Sequence, residues 1–139
     1  MIFMILIINT TPADHFELLL ARRADDFKRK KVTGKFHHSE KLVPAIAACL
    51  AANKITWDKL KGIGVVVGPG GFTSVRIGVA VANALAFGRN LPIAGIRAGE
   101  FSSAGELVVK VRERLKGIKP AQIVLPYYDR KPNITIRKK

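Results

Sequence analysis

The stretch Gly68-Pro69-Gly70-Gly71-Phe72-Thr73-Ser74-Val75-Arg76-Ile77-Gly78 constrains this chain more than any other, because an apolar run precedes it and a helix of small residues follows. Gly62-Ile63-Gly64-Val65-Val66-Val67 suits a strand buried on both faces, as in a parallel sheet with helices above and below. Gly68, Gly70 and Gly71 permit positive φ or a close backbone approach, while Pro69 fixes its own φ and donates no hydrogen bond. Thr73 or Ser74 is placed to cap the following helix, whose first N–H groups could hold an anion or be satisfied by that cap. The loop is neither a Walker loop, having no Lys-Ser/Thr after its last glycine, nor the dinucleotide fingerprint. Its chemistry alone leaves a structural turn and a phosphate or partner contact equally open.

The chain of 139 residues is long enough for one domain with a proper core, and its 48% apolar content argues for a folded protein. The run Met1 to Ile8 is too short to span a bilayer and has no basic region before it, so it reads as a strand of a cytosolic protein. A single cysteine, Cys49, has no partner for an internal disulfide and reads as a small core residue. Charge is the outlier. The 24 Lys and Arg residues against 10 Asp and Glu give +14, and residues 105–139 alone hold 10 basic and 3 acidic side chains. Such a field attracts nucleic acid without sequence choice, or merely keeps a surface solvated.

Taken in order, Ile2 to Asn9 predicts a first strand, with a turn over residues 10–14. Residues 16–21 form a second strand and residues 27–32 a weaker third, in which Lys28-Arg29-Lys30-Lys31 would suit a charged edge. Ser39 is a candidate N-cap for a helix over 40–53, with Leu42, Ile46, Cys49 and Leu50 on one face and Pro44 in or near the first turn. The adjacent His37 and His38 lack the spacing of a helical metal pair, and no metal site is expected. Residues 56–60 give a short capped turn. From Thr73 to Gly88 the helix is apolar nearly all round, which requires cover on more than one side. Residues 91–96 add a strand, 105–115 a basic helix, Ile123-Val124-Leu125 a last strand, and the tail is basic.

The glycine loop resembles that of the TsaB (YeaZ) family, whose usual pattern is Gly-Pro-Gly-Ser-Phe-Thr-Gly-Leu-Arg-Ile-Gly. The match falls on Gly68, Pro69, Gly70, Phe72, Thr73, Arg76, Ile77 and Gly78, with Gly71 and Ser74 departing from it. Upstream, His38-Ser39-Glu40-Lys41-Leu42-Val43-Pro44 is similar to the family's His-Ser…Leu-Leu-Pro entry to its first helix. Downstream, Pro126-Tyr127-Tyr128-Asp129-Arg130-Lys131-Pro132 is similar to its closing Pro-Tyr-Leu-Arg segment.

The resemblance implies an α/β fold: a single actin/Hsp70-like, ribonuclease H-like lobe, with a mixed sheet and helices packed on it. Residues 1–103 would form the N-terminal lobe and residues 104–139 a residual helix, strand and basic tail on the same domain, with most of the family's second lobe missing. It further implies a non-catalytic scaffold that supports a TsaD-like threonylcarbamoyltransferase and meets a TsaE-like ATPase in threonylcarbamoyladenosine modification of tRNA. ATP or ADP and a metal are then expected on the partner subunits and not on this chain, and a homodimer when it is alone. Asn9-Thr10-Thr11 stands where the family usually has Asp-Thr-Ser, which removes the carboxylate that organises Mg²⁺-bound water in actin/Hsp70-like ATPases. The expected partner surface comprises Leu42, Ile46, Cys49, Val75, Arg76, Ile77, Val79 and Ala82. Gly78, Ala82 and Ala86 would let a second helix approach, and Gly68, Pro69, Gly70, Gly71, Phe72 and Thr73 would position the helix. Two readings from other classes stand beside it. One is a tRNA-binding module using Lys110, Arg112, Arg114, Lys116, Lys119, Arg130, Lys131, Arg137, Lys138 and Lys139. The other is a small ATPase or peptidase, for which no catalytic set is recognisable in the sequence.

Overall fold

Five strands lie in the order β3-β2-β1-β4-β5 in a computed structural model that describes residues 4–33 and 38–127, without the side chains of residues 38 and 39. β1 (Met4–Asn9), β2 (His15–Arg23) and β3 (Asp26–Thr33) form an antiparallel meander. β4 (Leu60–Gly68) and β5 (Ile93–Arg97) run parallel to β1. Helices α1 (His38–Ala52) and α2 (Phe72–Arg89) cover one face of the sheet, and α3 (Ala104–Leu115) covers the other. This is the mixed α/β lobe that the sequence predicts.

Alternation along β1 feeds both layers at once. Leu6 and Ile8 join Leu18, Leu20, Ile63, Val65, Val75 and Val79 beneath α1 and α2, while Ile5 and Ile7 join Leu19, Val66, Val108 and Val111 beneath α3. α3 can sit close because Gly62 and Gly64 face it. A Cβ on Gly64 would come within 2.6 Å of Val111 Cγ1, and one on Gly62 within 2.7 Å of Leu115 Cδ1. The lysine-bearing β3 is indeed an edge strand, with Lys28 to Lys31 exposed. Glu17 of β2 fastens it: Arg29 Nε and Nη2 each donate to its carboxylate at 3.0 Å, and His15 Nε2 lies 3.2 Å away.

Several expectations about helix ends need correction. α1 already includes His38, so Ser39 lies inside it, and Pro44 falls in the second turn. Thr73 and Ser74 also lie within their helix; Gly71 is the N-cap of α2 and makes no side-chain cap bond. At the far end Asn90 adopts the left-handed conformation, and the Leu91 N–H reaches the Ala86 carbonyl at 2.8 Å, a glycine-type stop made by asparagine. Ser103 caps α3 by accepting from the Glu106 N–H at 3.1 Å. The strand expected at Ile123-Val124-Leu125 does not form. The carboxamide of Asn83 on α2 takes both backbone groups of Val124 instead, donating to its carbonyl at 2.8 Å and accepting from its N–H at 3.0 Å.

Two predictions follow from this packing. Gly64→Ala should cost about 1–3 kcal/mol in urea unfolding, because Val111 is β-branched and cannot swing aside, and Val111→Ala in the same chain should recover part of the loss. A second measurement concerns Glu17. Burial disfavours its charged form, but Arg29 and His15 outweigh burial and hold the carboxyl below the ordinary value of 4.5. A carboxylate held low stabilises the fold above its unfolded pKa, and the contribution disappears as the pH falls through the folded value. Arg29→Met should therefore lower the urea midpoint at about pH 7, with the gap to the parent narrowing as the pH falls below the ordinary carboxyl value of 4.5; a gap that stays constant as the carboxyl is protonated excludes the ion pair as its source.

Candidate functional site

The sequence feature at the centre of the chain sits where β1, β4 and α2 meet. Gly68 ends β4 at φ +123, a conformation that favours glycine, and a side chain there would collide with the Tyr127 carbonyl. The Tyr127 N–H in turn donates to the Val67 carbonyl at 2.8 Å, so the segment after α3 is pinned to the loop. A Cβ on Gly70 would lie 2.8 Å from Thr11 Cα, and one on Gly78 would collide with the Thr10 hydroxyl. Thr10 is fully buried, and its hydroxyl donates to the Ser74 carbonyl at 2.7 Å.

The neighbouring Asn9 turns its carboxamide oxygen onto its own chain, accepting from the Thr11 N–H at 3.0 Å and from the Thr11 hydroxyl at 2.7 Å. Gly70 and Gly78 are thus filled by the end of β1. The glycine loop acts here as a close-approach joint that fixes α2, which favours the structural-turn reading over a phosphate cradle. Among the described residues no three His, Cys, Asp or Glu side chains come together.

The structure corrects most of the expected partner surface. Leu42, Ile46, Cys49, Val75, Val79 and Ala82 are all at most 3% exposed and belong to the core beneath α1 and α2. Burial also pushes the Cys49 thiol pKa up, against smaller opposite effects of Lys30 and Asn53. The Gly78-Ala82-Ala86 stripe faces inward as well, which lets α2 lie close to the sheet. The same close spacing serves helix-on-sheet packing, and nothing in the sequence separates the two uses.

Of the expected surface, only Arg76 and the half-buried Ile77 reach solvent. Arg76 stacks on Phe72, its guanidinium carbon 5.1 Å from the ring centroid. The outward side of α2 otherwise consists of Thr73, Ala80, Ala84 and Phe87, with Phe72 and Phe87 56% and 75% exposed. α1 lies against α2 and presents Val43, Pro44, Ala47, Ala48 and Ala51. With Arg76 included these residues recur every three or four positions, so each helix carries an outer stripe of mostly small and apolar residues.

The basic candidates divide. Arg114 is committed to Glu100 and to the Gly95 carbonyl, the latter at 2.8 Å. That ion pair, with the Arg97 N–H, holds the Glu100 carboxyl below its ordinary value. Lys110 and Arg112 are half-buried on α3, Lys116 and Lys119 are exposed, and Arg130, Lys131, Arg137, Lys138 and Lys139 lie outside the described residues.

Comparison with known proteins agrees with this architecture. Residues 33–114, more than half of the chain, match the family model described as TsaD: tRNA N6-adenosine threonylcarbamoyltransferase. The tRNA threonylcarbamoyladenosine biosynthesis protein TsaB of Haemophilus influenzae is 30% identical over 95 residues, covering 63% of this chain and 40% of that protein. The tRNA N6-adenosine threonylcarbamoyltransferase of Listeria welshimeri is 42% identical over 60 residues, covering 43% of this chain and 17% of the enzyme. Among solved structures, YeaZ from Pseudomonas aeruginosa superposes with a TM-score of 0.63 at 22% identity, over 68% of this chain and 44% of YeaZ. The chain spans less than half the length of each of these relatives. The TsaB relative and the YeaZ fold agree with that match, and the family model covers more than half of the residues: the chain belongs to the family described as TsaD: tRNA N6-adenosine threonylcarbamoyltransferase.

Proposed function

We propose that this chain is a non-catalytic scaffold in threonylcarbamoyladenosine modification of tRNA, binding a TsaD-like threonylcarbamoyltransferase through the outer faces of α1 and α2. The observation that carries this reading is the exposed apolar stripe itself: Val43, Phe72 and Phe87 stand out from rows of alanines on two adjacent helices. Small residues let another helix pair lie close, and the aromatic rings at the two ends of α2 supply anchors. Asn9 supports the non-catalytic part. Its carboxamide is spent on Thr11 and brings no negative charge to the turn where a carboxylate would organise a metal-bound water. On this reading nucleotide and metal belong to the partner subunits, among them a TsaE-like ATPase, and a second copy of this chain covers the same stripe when the transferase is absent.

Ala84 is exposed, so Ala84→Glu should leave the fold intact while placing a charge in the proposed interface. Capture of a purified TsaD-like subunit by the full chain should weaken at least tenfold, about 1.4 kcal/mol. Gel filtration of the variant alone should show loss of any homodimer. Undiminished capture by a folded Ala84→Glu protein rules out this surface. The buried Ala82 cannot serve for the same experiment, because a glutamate there would disrupt the core.

A further inference from the structure

We infer that Arg76 makes the outer face of α1 and α2 selective for an unlike partner: the docked surface must carry a carboxylate opposite it, and a second copy of this chain has none uncommitted on that face. The inference rests on the scaffold reading for the face itself and adds the chemistry of what covers it.

Arg76 is exposed in the second turn of α2, in the same outer row as Thr73, Ala80, Ala84 and Phe87, and is the one charged side chain in that row. Nothing in the helix itself favours a cation there. The positive end of the helix dipole lies at the start of α2, no acidic residue sits in its first turn, and the basic residue that the dipole favours is Arg89 in the last turn. The guanidinium carbon of Arg76 lies 5.1 Å from the ring centroid of the exposed Phe72. Stacking uses the flat face of a guanidinium and leaves its in-plane N–H donors available. Among the described residues no carboxylate lies within ion-pair distance of Arg76, whereas Arg23, Arg29 and Arg114 each have one.

Docking changes that balance. A helix pair laid along this row takes Arg76 out of water, and a guanidinium buried among apolar groups is costly unless a carboxylate meets it. Self-pairing does not supply one. The two helices carry Lys41, Arg76 and Arg89 against a single carboxylate, Glu40, which sits in the first turn of α1 and already has an interaction partner. Lys30 of β3 adds to the positive surplus at the flank of α1, close enough to act on the Cys49 thiol. Two copies face to face would bury two arginines between two positive surfaces. An apolar surface that presents an aspartate or glutamate to Arg76 satisfies its N–H groups with charge-assisted bonds, and the same residue then disfavours a second copy.

The test measures both associations in the full chain. Arg76→Leu removes the charge and keeps apolar bulk. Capture of the purified TsaD-like subunit should weaken at least tenfold, because the partner's carboxylate loses its arginine. Self-association in sedimentation equilibrium should strengthen severalfold, because no arginine is buried without a carboxylate. Arg76→Lys should recover part of the capture. Urea unfolding should give Arg76→Leu the parent's midpoint; if the lost stack on Phe72 lowers it, Arg76→Gln is measured instead, with the same two shifts expected. Unchanged capture or unchanged self-association by the folded variant overturns the inference. Loss of both associations together assigns Arg76 to the start of α2 and overturns it too. Capture that is lost in Ala84→Glu but kept in Arg76→Leu leaves the scaffold reading standing without this one, and a parent chain that captures no transferase removes both.

Discussion

The hydroxyl of Thr10 is the point on which the rest of the lobe depends. It is fully buried, so it must find a partner within the protein, and the partner is the Ser74 carbonyl in the first turn of α2. That bond can form only if α2 lies against the end of β1, and only a glycine at position 78 leaves room for it. One hydrogen bond and one missing side chain therefore set the height and rotation of the longest helix over the sheet. Everything α2 presents to solvent, from Arg76 on Phe72 to Phe87 at its other end, is aimed by that joint.

The opposite face is organised by the same means. Gly62 and Gly64 remove side chains beneath α3, and Leu115 and Val111 occupy the space. Glycines in a central strand weaken it locally, because they lose more backbone entropy and pack nothing themselves. Here the loss is offset by helix contacts that bury Leu107, Val108, Val111 and Leu115 almost completely. The strand β4 thus joins the two layers, with apolar side chains toward α2 and mostly glycine toward α3.

Most of this architecture was legible in the residues. Short apolar runs separated by turns located four strands and a charged edge run the fifth, and apolar periodicity located the three helices to within a residue or two. What the sequence did not reveal is direction and company. Ala82 and Gly78 satisfy a helix–helix interface and a helix–sheet interface equally well, and only the position of Thr10 in space selects the second. Ile123-Val124-Leu125 has the composition of a strand, but a ladder needs a neighbour's free backbone groups, and Asn83 satisfies Val124 first.

The placement of charge follows from the same two-layered plan. A helix pair with alanine-rich outer stripes cannot carry a dense positive charge across them without losing its fit to another helix, since each buried lysine would need a partner. The basic residues accordingly gather elsewhere: on the edge strand β3, on α3 and around the N-terminal ends of β1 and β4. The sheet lies between the apolar stripe and α3, so a protein partner on α1 and α2 would leave α3 open to solvent. A net charge of +14 is then compatible with an apolar docking face, because α3 and the edge strand β3 carry much of it.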